Sequence, residues 1–219
     1  WRTHFRRTMN DLDSKANIKA IDSLIKNPEI KDQLKFETLK STLEYRGPVH
    51  VEDMYSKFLA ENTTPKFAEK LEKLKAKWDP ISPGKTVPDF TFTDIKGDSV
   101  KLSDLKGNLV YIDIWATWCG PCVIEYPEFI EIQRMYMGRD FQFVSLSMDN
   151  PNQEDKVLKF LQSKYSAVPN YLIDTEDKYA VIDVVKNGWD GSLPITLLIE
   201  PGGKMAYTRM GEINALELK

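Results

Sequence analysis

The chain has 219 residues, of which 42% are apolar and 29% charged, and its 30 basic and 33 acidic side chains leave a net charge of −3. That mix belongs to an ordinary folded protein and excludes wholesale disorder; the near-neutral charge argues against nucleic acid or an anionic membrane surface as a partner. No apolar run approaches the roughly 20 residues that span a bilayer, and the opening Trp1-Arg2-Thr3-His4-Phe5-Arg6-Arg7 lacks the apolar stretch of a signal peptide.

Residues 1–79 are expected to form an all-helical segment. Trp1, Phe5, Met9, Leu12, Ile21, Leu24 and Ile25 recur at helical steps, Asn27-Pro28 interrupts them, and Ile30, Leu34, Leu39 and Leu43 resume the stripe. After a break at Gly47-Pro48, a shorter stripe runs through Met54, Tyr55, Phe58 and Leu59. A last helix opens at Thr64-Pro65, a capping hydroxyl followed by proline at the first helical position, with Phe67, Leu71, Leu74 and Trp78 on its apolar face. No motif here carries chemistry. The segment packs on the second domain, binds a partner, or belongs to something larger.

Asp79-Pro80-Ile81-Ser82-Pro83-Gly84 is predicted to be a linker, because its prolines and glycine stop a helix. From there the period changes. Phe90 and Phe92, a Lys96-Gly97-Asp98 turn, and Val100 and Leu102 predict a β-hairpin. Residues 109–116 form a nearly continuous apolar run, the signature of a strand buried on both faces. A helix from Cys119 to about Met137, a strand over Phe141–Met148 and a helix around Asp155–Tyr165 follow. Asn170–Trp189 reads as a strand and then a helix, and Ile195–Glu200 and Met205–Arg209 close the chain around Pro201-Gly202-Gly203-Lys204. Strands alternating with helices over residues 80–219 predict an α/β domain with a mixed sheet.

The only cysteines are Cys119 and Cys122, spaced as a redox pair rather than as a disulfide framework. Cys119 follows the buried strand and opens a helix, so its sulfur meets unpaired N–H groups and the positive end of the helix dipole, both of which favour the thiolate. Gly120 lets the chain turn, and Pro121 occupies a first-turn position where no N–H is needed. Cys122, one turn on, can attack a mixed disulfide on Cys119 and release the reduced substrate. Zinc would need two further ligands, and the chain offers only His4 and His50 without metal spacing, so neither metal nor cofactor is expected.

Trp115-Ala116-Thr117-Trp118-Cys119-Gly120-Pro121-Cys122 resembles the active-site segment of thioredoxin-like proteins, and its Ala-Thr-Trp variant resembles the extracytoplasmic branch of TlpA and ResA type. The resemblance runs over about residues 84–212. It implies a thioredoxin fold with an N-terminal β-hairpin and a central insertion. It also implies further residue roles. Asp113 matches the buried acid that takes the proton of Cys122, the alternative being an Asp bonded to backbone at a strand end. Pro127 matches a structural helix proline. Pro194 matches the cis-proline that offers the backbone of Leu193 to an extended substrate, against a trans proline at a strand start. Trp118, Gly120 and Pro121 complete the implied substrate surface. Glu125 also resembles this branch, although on exposure alone such a residue reads as solvated. Ser145 stands where thioredoxin carries a lysine, and the final helix looks cut short after Gly211-Glu212.

The expected function is thiol–disulfide exchange, reducing protein disulfides with electrons from an upstream donor. The resemblance implies a bacterial periplasm or envelope, with a membrane or lipid anchor upstream of residue 1; cytoplasmic residence stays open. Two alternatives stand beside it: a thiol oxidant or isomerase, and a client-binding or assembly module in which redox turnover is secondary. A thiol peroxidase is disfavoured, because its one-cysteine site would carry Pro and Thr ahead of a cysteine without a partner three residues on, and no such motif appears.

Overall fold

The computed structural model describes residues 14–48, 51–94, 97–136, 140–164, 170–172 and 191–211. The chain divides into two compact units, Trp1–Trp78 and Asp79–Lys219.

In the first unit, α1 (14–24), α2 (Pro28–Arg46), α3 (Glu52–Glu61) and α4 (Pro65–Ala76) enclose a core that includes Phe36, Leu39, Leu43, Tyr55, Phe58 and Leu71. Asn27 caps α2, its side chain accepting from the N–H of Ile30 at 3.1 Å, with Pro28 in the first turn. Gly47 ends α2 at φ 84°, and a Cβ there would lie 3.3 Å from the buried ring of Trp78. Two expectations fail here. Ile30 and Leu34 do not share the core stripe: both are exposed, as is Leu24. At 3.6 residues per turn the face through Phe36, Leu39 and Leu43 runs back to Asp32 and Lys35, which are buried. Thr64 precedes α4 but makes no capping bond; its hydroxyl donates to the Asp32 carboxylate instead, at 3.2 Å.

The helical core is therefore partly polar. One oxygen of Asp32 accepts from the backbone N–H of Thr63 at 2.7 Å and from its hydroxyl at 2.6 Å. The Lys35 ammonium pairs with Asp22 and with Glu61; burial works against its charge, but these two partners hold its pKa above the usual lysine value. Asp32→Ala would remove the charged acceptor of the Thr63 N–H and of the Thr63 and Thr64 hydroxyls and is expected to cost about 1.5–3 kcal/mol, measured as a lower urea midpoint for the helical signal.

In the second unit the strands are β1 (Thr91–Asp94), β2 (Ser99–Lys101), β3 (Leu109–Trp115), β4 (Phe141–Ser147), β5 (Asn170–Leu172), β6 (Ile195–Ile199) and β7 (Met205–Met210), with α5 (Gly120–Tyr136) and α6 (Glu154–Ser163) between them. They form one mixed sheet in the order β2-β1-β5-β4-β3-β6-β7. β3 runs parallel to β4 and antiparallel to β6, and the hairpin β1–β2 joins through β5. The central place of β3 explains its apolar run: Val110, Ile112 and Ile114 fill one face, Tyr111 and Trp115 the other, and all five are nearly inaccessible. The stretch predicted as a linker is instead a strap bonded along β7. Gly84 N–H donates to Met205 O at 2.7 Å, Met205 N–H to Lys85 O at 2.8 Å, and the Thr208 hydroxyl to Ile81 O at 2.7 Å. Its prolines allow only a single 3-10 turn, Asp79–Ile81, and leave these groups available for pairing. The helix expected between residues 173 and 189, the end of the chain after Gly211, and both histidines lie outside the described residues.

Candidate active site

The end of β3 delivers the chain to the redox pair. Ala116 is fully buried, Trp118 is 60% exposed, and Cys119 sits just ahead of α5, its carbonyl accepting from the N–H of Val123 at 3.1 Å. Cys119 and Cys122 are joined as a disulfide with their Cα atoms 5.3 Å apart. The backbone N–H of Cys122 points at Cys119 Sγ, 3.2 Å away. In the dithiol state that N–H and the start of the helix would stabilise a thiolate on Cys119. Cys119 is 6% exposed and Cys122 2%, so Cys119 is the less buried of the two residues. Gly120 and Pro121 lie on the exposed side of the first turn.

The Leu193–Pro194 peptide is cis, the conformation expected of it. Pro194 is buried, its carbonyl accepts from Gly211 N–H at 2.9 Å, and Leu193 packs against the cluster that holds both cysteines. The structure thus brings the cysteines and Leu193 together, with Trp118 at the rim.

Asp113 lies two residues from both Tyr111 and Trp115 on β3 and so shares their face of the sheet, the face that packs with Cys119, Cys122, Tyr126 and Phe129. It is 4% exposed, and burial pushes its carboxyl up to about 7. Burial and the neighbouring Asp113, with Glu125 contributing, also drive the Tyr111 phenol well above its usual value.

The AhpC/TSA family model matches residues 83–208, more than half of the chain. The chain belongs to the AhpC/TSA family. It is similar to the thiol-disulfide oxidoreductase ResA of Geobacillus kaustophilus, 32% identical over 140 residues that cover 64% of this chain and 75% of the relative. A thiol:disulfide interchange protein described as DsbE, from Chlorobium tepidum, matches at TM-score 0.53 and 28% identity, over 63% of this chain and 94% of that one. The thioredoxin domain of a thiol-disulfide oxidoreductase from Bacteroides vulgatus matches at TM-score 0.52 and 26% identity, over 61% and 89%. This AhpC/TSA protein has a thioredoxin fold and is a thiol–disulfide oxidoreductase.

One expectation about the AhpC/TSA domain is corrected outright. Glu125 is not solvated: it is 2% exposed. It falls three residues after Cys122 on the stripe that continues through Tyr126 and Phe129, and that spacing was the signal for its burial. Ser145 is paired in register with Asp113, and its hydroxyl accepts from the Trp115 indole N–H at 2.7 Å. On the other side of Asp113 the same register row continues through Thr196 on β6 to Arg209 on β7, both buried. Polar residues interrupting otherwise apolar strands were the sequence trace of this row.

Proposed function

We propose that the Cys119–Cys122 couple of this oxidoreductase reduces disulfides in protein substrates. The Cys119 thiolate attacks one sulfur of the substrate disulfide, forming a mixed disulfide and expelling the other sulfur as a thiolate. Cys122 then gives up its proton, for which the buried Asp113 carboxylate is the acceptor, and attacks Cys119 Sγ. The enzyme disulfide closes, the second substrate sulfur leaves, and two electrons have passed to the substrate. The observation that carries this reading is the Cys119–Cys122 pair at the start of α5, with the Cys122 N–H aimed at Cys119 Sγ and Leu193 packed on the cluster that contains both cysteines. The backbone of Leu193, which packs on that cluster, is the proposed place for a substrate segment to pair. Trp118, Gly120 and Pro121 supply the exposed rim of that surface.

The setting that goes with this proposal is a bacterial envelope compartment, a reading supported by the likeness to proteins named ResA and DsbE, with an upstream donor proposed to return the enzyme to its dithiol. Among the described residues no helix is long and apolar enough to cross a membrane. The test is the reduction potential of the couple, equilibrated with glutathione or dithiothreitol and followed by tryptophan fluorescence. A value of roughly −250 mV or below is expected, near that of thioredoxin. A value near −120 mV would make the protein an oxidant and overturn the reading.

A further inference from the structure

Four residues, Ala116 to Cys119, connect β3 to α5, and one carboxylate outside that link holds it. Thr117 donates twice to Asp149, which lies just beyond β4: its backbone N–H to Oδ2 at 2.7 Å and its hydroxyl to Oδ1 at 2.6 Å. The Ser147 hydroxyl also donates to Oδ2, at 2.8 Å, and accepts from the Asp149 N–H at 3.1 Å. Asp149 is 0% exposed and Ser147 1%. Between them, the Met148 N–H donates to Trp115 O at 2.8 Å.

A carboxylate buried so completely is costly unless donors surround it. Here two of those donors belong to the residue that lies two positions before the nucleophile. The bonds exist only while the link keeps its present path, so the carboxylate penalises any other path. That path decides whether Cys119 Sγ meets the Cys122 N–H and the start of α5. It also turns Trp118, the neighbour of Thr117, out into solvent.

We propose that Asp149 is a positioning residue for Cys119, acting through Thr117: it fixes the β3–α5 link so that the sulfur stays against the Cys122 backbone N–H at the start of α5, which stabilises its thiolate. The inference rests on the dithiol function proposed above. Releasing the link lets the sulfur leave that N–H. The thiolate then loses stabilisation, attack slows, and the couple becomes more reducing, because stabilising the reduced form is what makes such a couple oxidising.

Thr117→Val removes the hydroxyl donor at nearly constant shape and keeps the N–H; Thr117→Ser restores the donor; Asp149→Ala removes the anchor. Two quantities are measured on the full chain: the rate of Cys119 alkylation by iodoacetamide in the reduced protein, and the equilibrium with a glutathione buffer. Thr117→Val is expected to lower the alkylation rate about tenfold and to shift the equilibrium about tenfold toward the disulfide, about 30 mV more negative. Thr117→Ser should recover both, and Asp149→Ala should exceed Thr117→Val. If Asp149→Ala does not fold, the valine–serine pair decides alone. Variants that match the wild type in rate and equilibrium and only melt earlier would overturn the inference while leaving the dithiol function intact. A wild type that does not exchange with glutathione would overturn both.

Discussion

Cys119→Ser is expected to abolish disulfide reduction, a loss on the order of 1000-fold or more, as for other removed nucleophiles, whereas Cys122→Ser should accumulate a covalent complex with its substrate. The difference follows from the two positions. In the roles proposed above, Cys119, the more exposed residue and the one whose sulfur receives the N–H of Cys122, holds the reactive thiolate, and Cys122, more deeply buried and bonded to it in the disulfide, resolves. Without Cys119 no mixed disulfide forms. Without Cys122 the mixed disulfide forms and nothing inside the enzyme resolves it. Insulin reduction with dithiothreitol as donor reads the first result. A mass shift on a non-reducing gel, reversed by reductant, reads the second. Trapping by Cys119→Ser and not by Cys122→Ser would exchange the two roles.

Asp113→Asn is expected to stabilise the protein and slow it at once. The carboxyl of Asp113 is raised from 3.8 to about 7 by burial, so the folded chain holds that proton more tightly than the unfolded chain does. Its contribution to stability is therefore fully present below about pH 4, is lost as the pH rises toward 7, and stays lost above. At 1.36 kcal/mol for each tenfold difference in proton affinity, the whole effect is on the order of 4 kcal/mol. With the disulfide intact, guanidinium unfolding should find Asp113→Asn more stable than the wild type at pH 8, by up to about that amount, and equal to it near pH 4. Turnover should move the other way. The wild type should gain rate as Asp113 ionises near pH 7, and the asparagine variant should lose that rise, with resolution slowed on the order of 100-fold. A wild-type stability that does not change between pH 5 and 8 would sink the stability argument; an unchanged pH–rate profile in the variant would remove Asp113 from the proton transfer.

The parts of this site that could be read in advance are those whose signals are local. A buried strand, a Cys-Gly-Pro-Cys turn and a helix follow one another within a few residues, and their order alone gives the sulfur its surroundings. Asp113 was placed by the resemblance, and the apolar residues that flank it on both sides agreed with its burial. Glu125 was legible in principle from the Cys122, Tyr126 and Phe129 spacing, but a charged side chain on a helix reads as solvated unless that stripe is counted first. Asp149 carried no local trace at all. Its meaning depends on β4 lying beside β3 with Ser147 opposite Trp115, a register that no short window contains. In the helical unit the period was legible and its phase was not. Ile30 and Leu34 are apolar at the right interval, yet the turn after α3 presents Thr63 to Asp32, and α1 and α3 present Asp22 and Glu61 to Lys35, so the polar face turned inward.

The ladders of the sheet are unequal, and this separates the places where it can open from the place where it works. β3 is paired with β4 along its whole length and with β6 through five residues, whereas among the described residues the β1–β2 hairpin is fastened to the rest only through Thr93 and Asp94 against Leu172 and Tyr171. Partial unfolding starts where the fewest backbone bonds must break. By its ladder the hairpin edge is the weaker seam, held besides by the buried Phe92, while the strand that aims Cys119 is clamped on both sides.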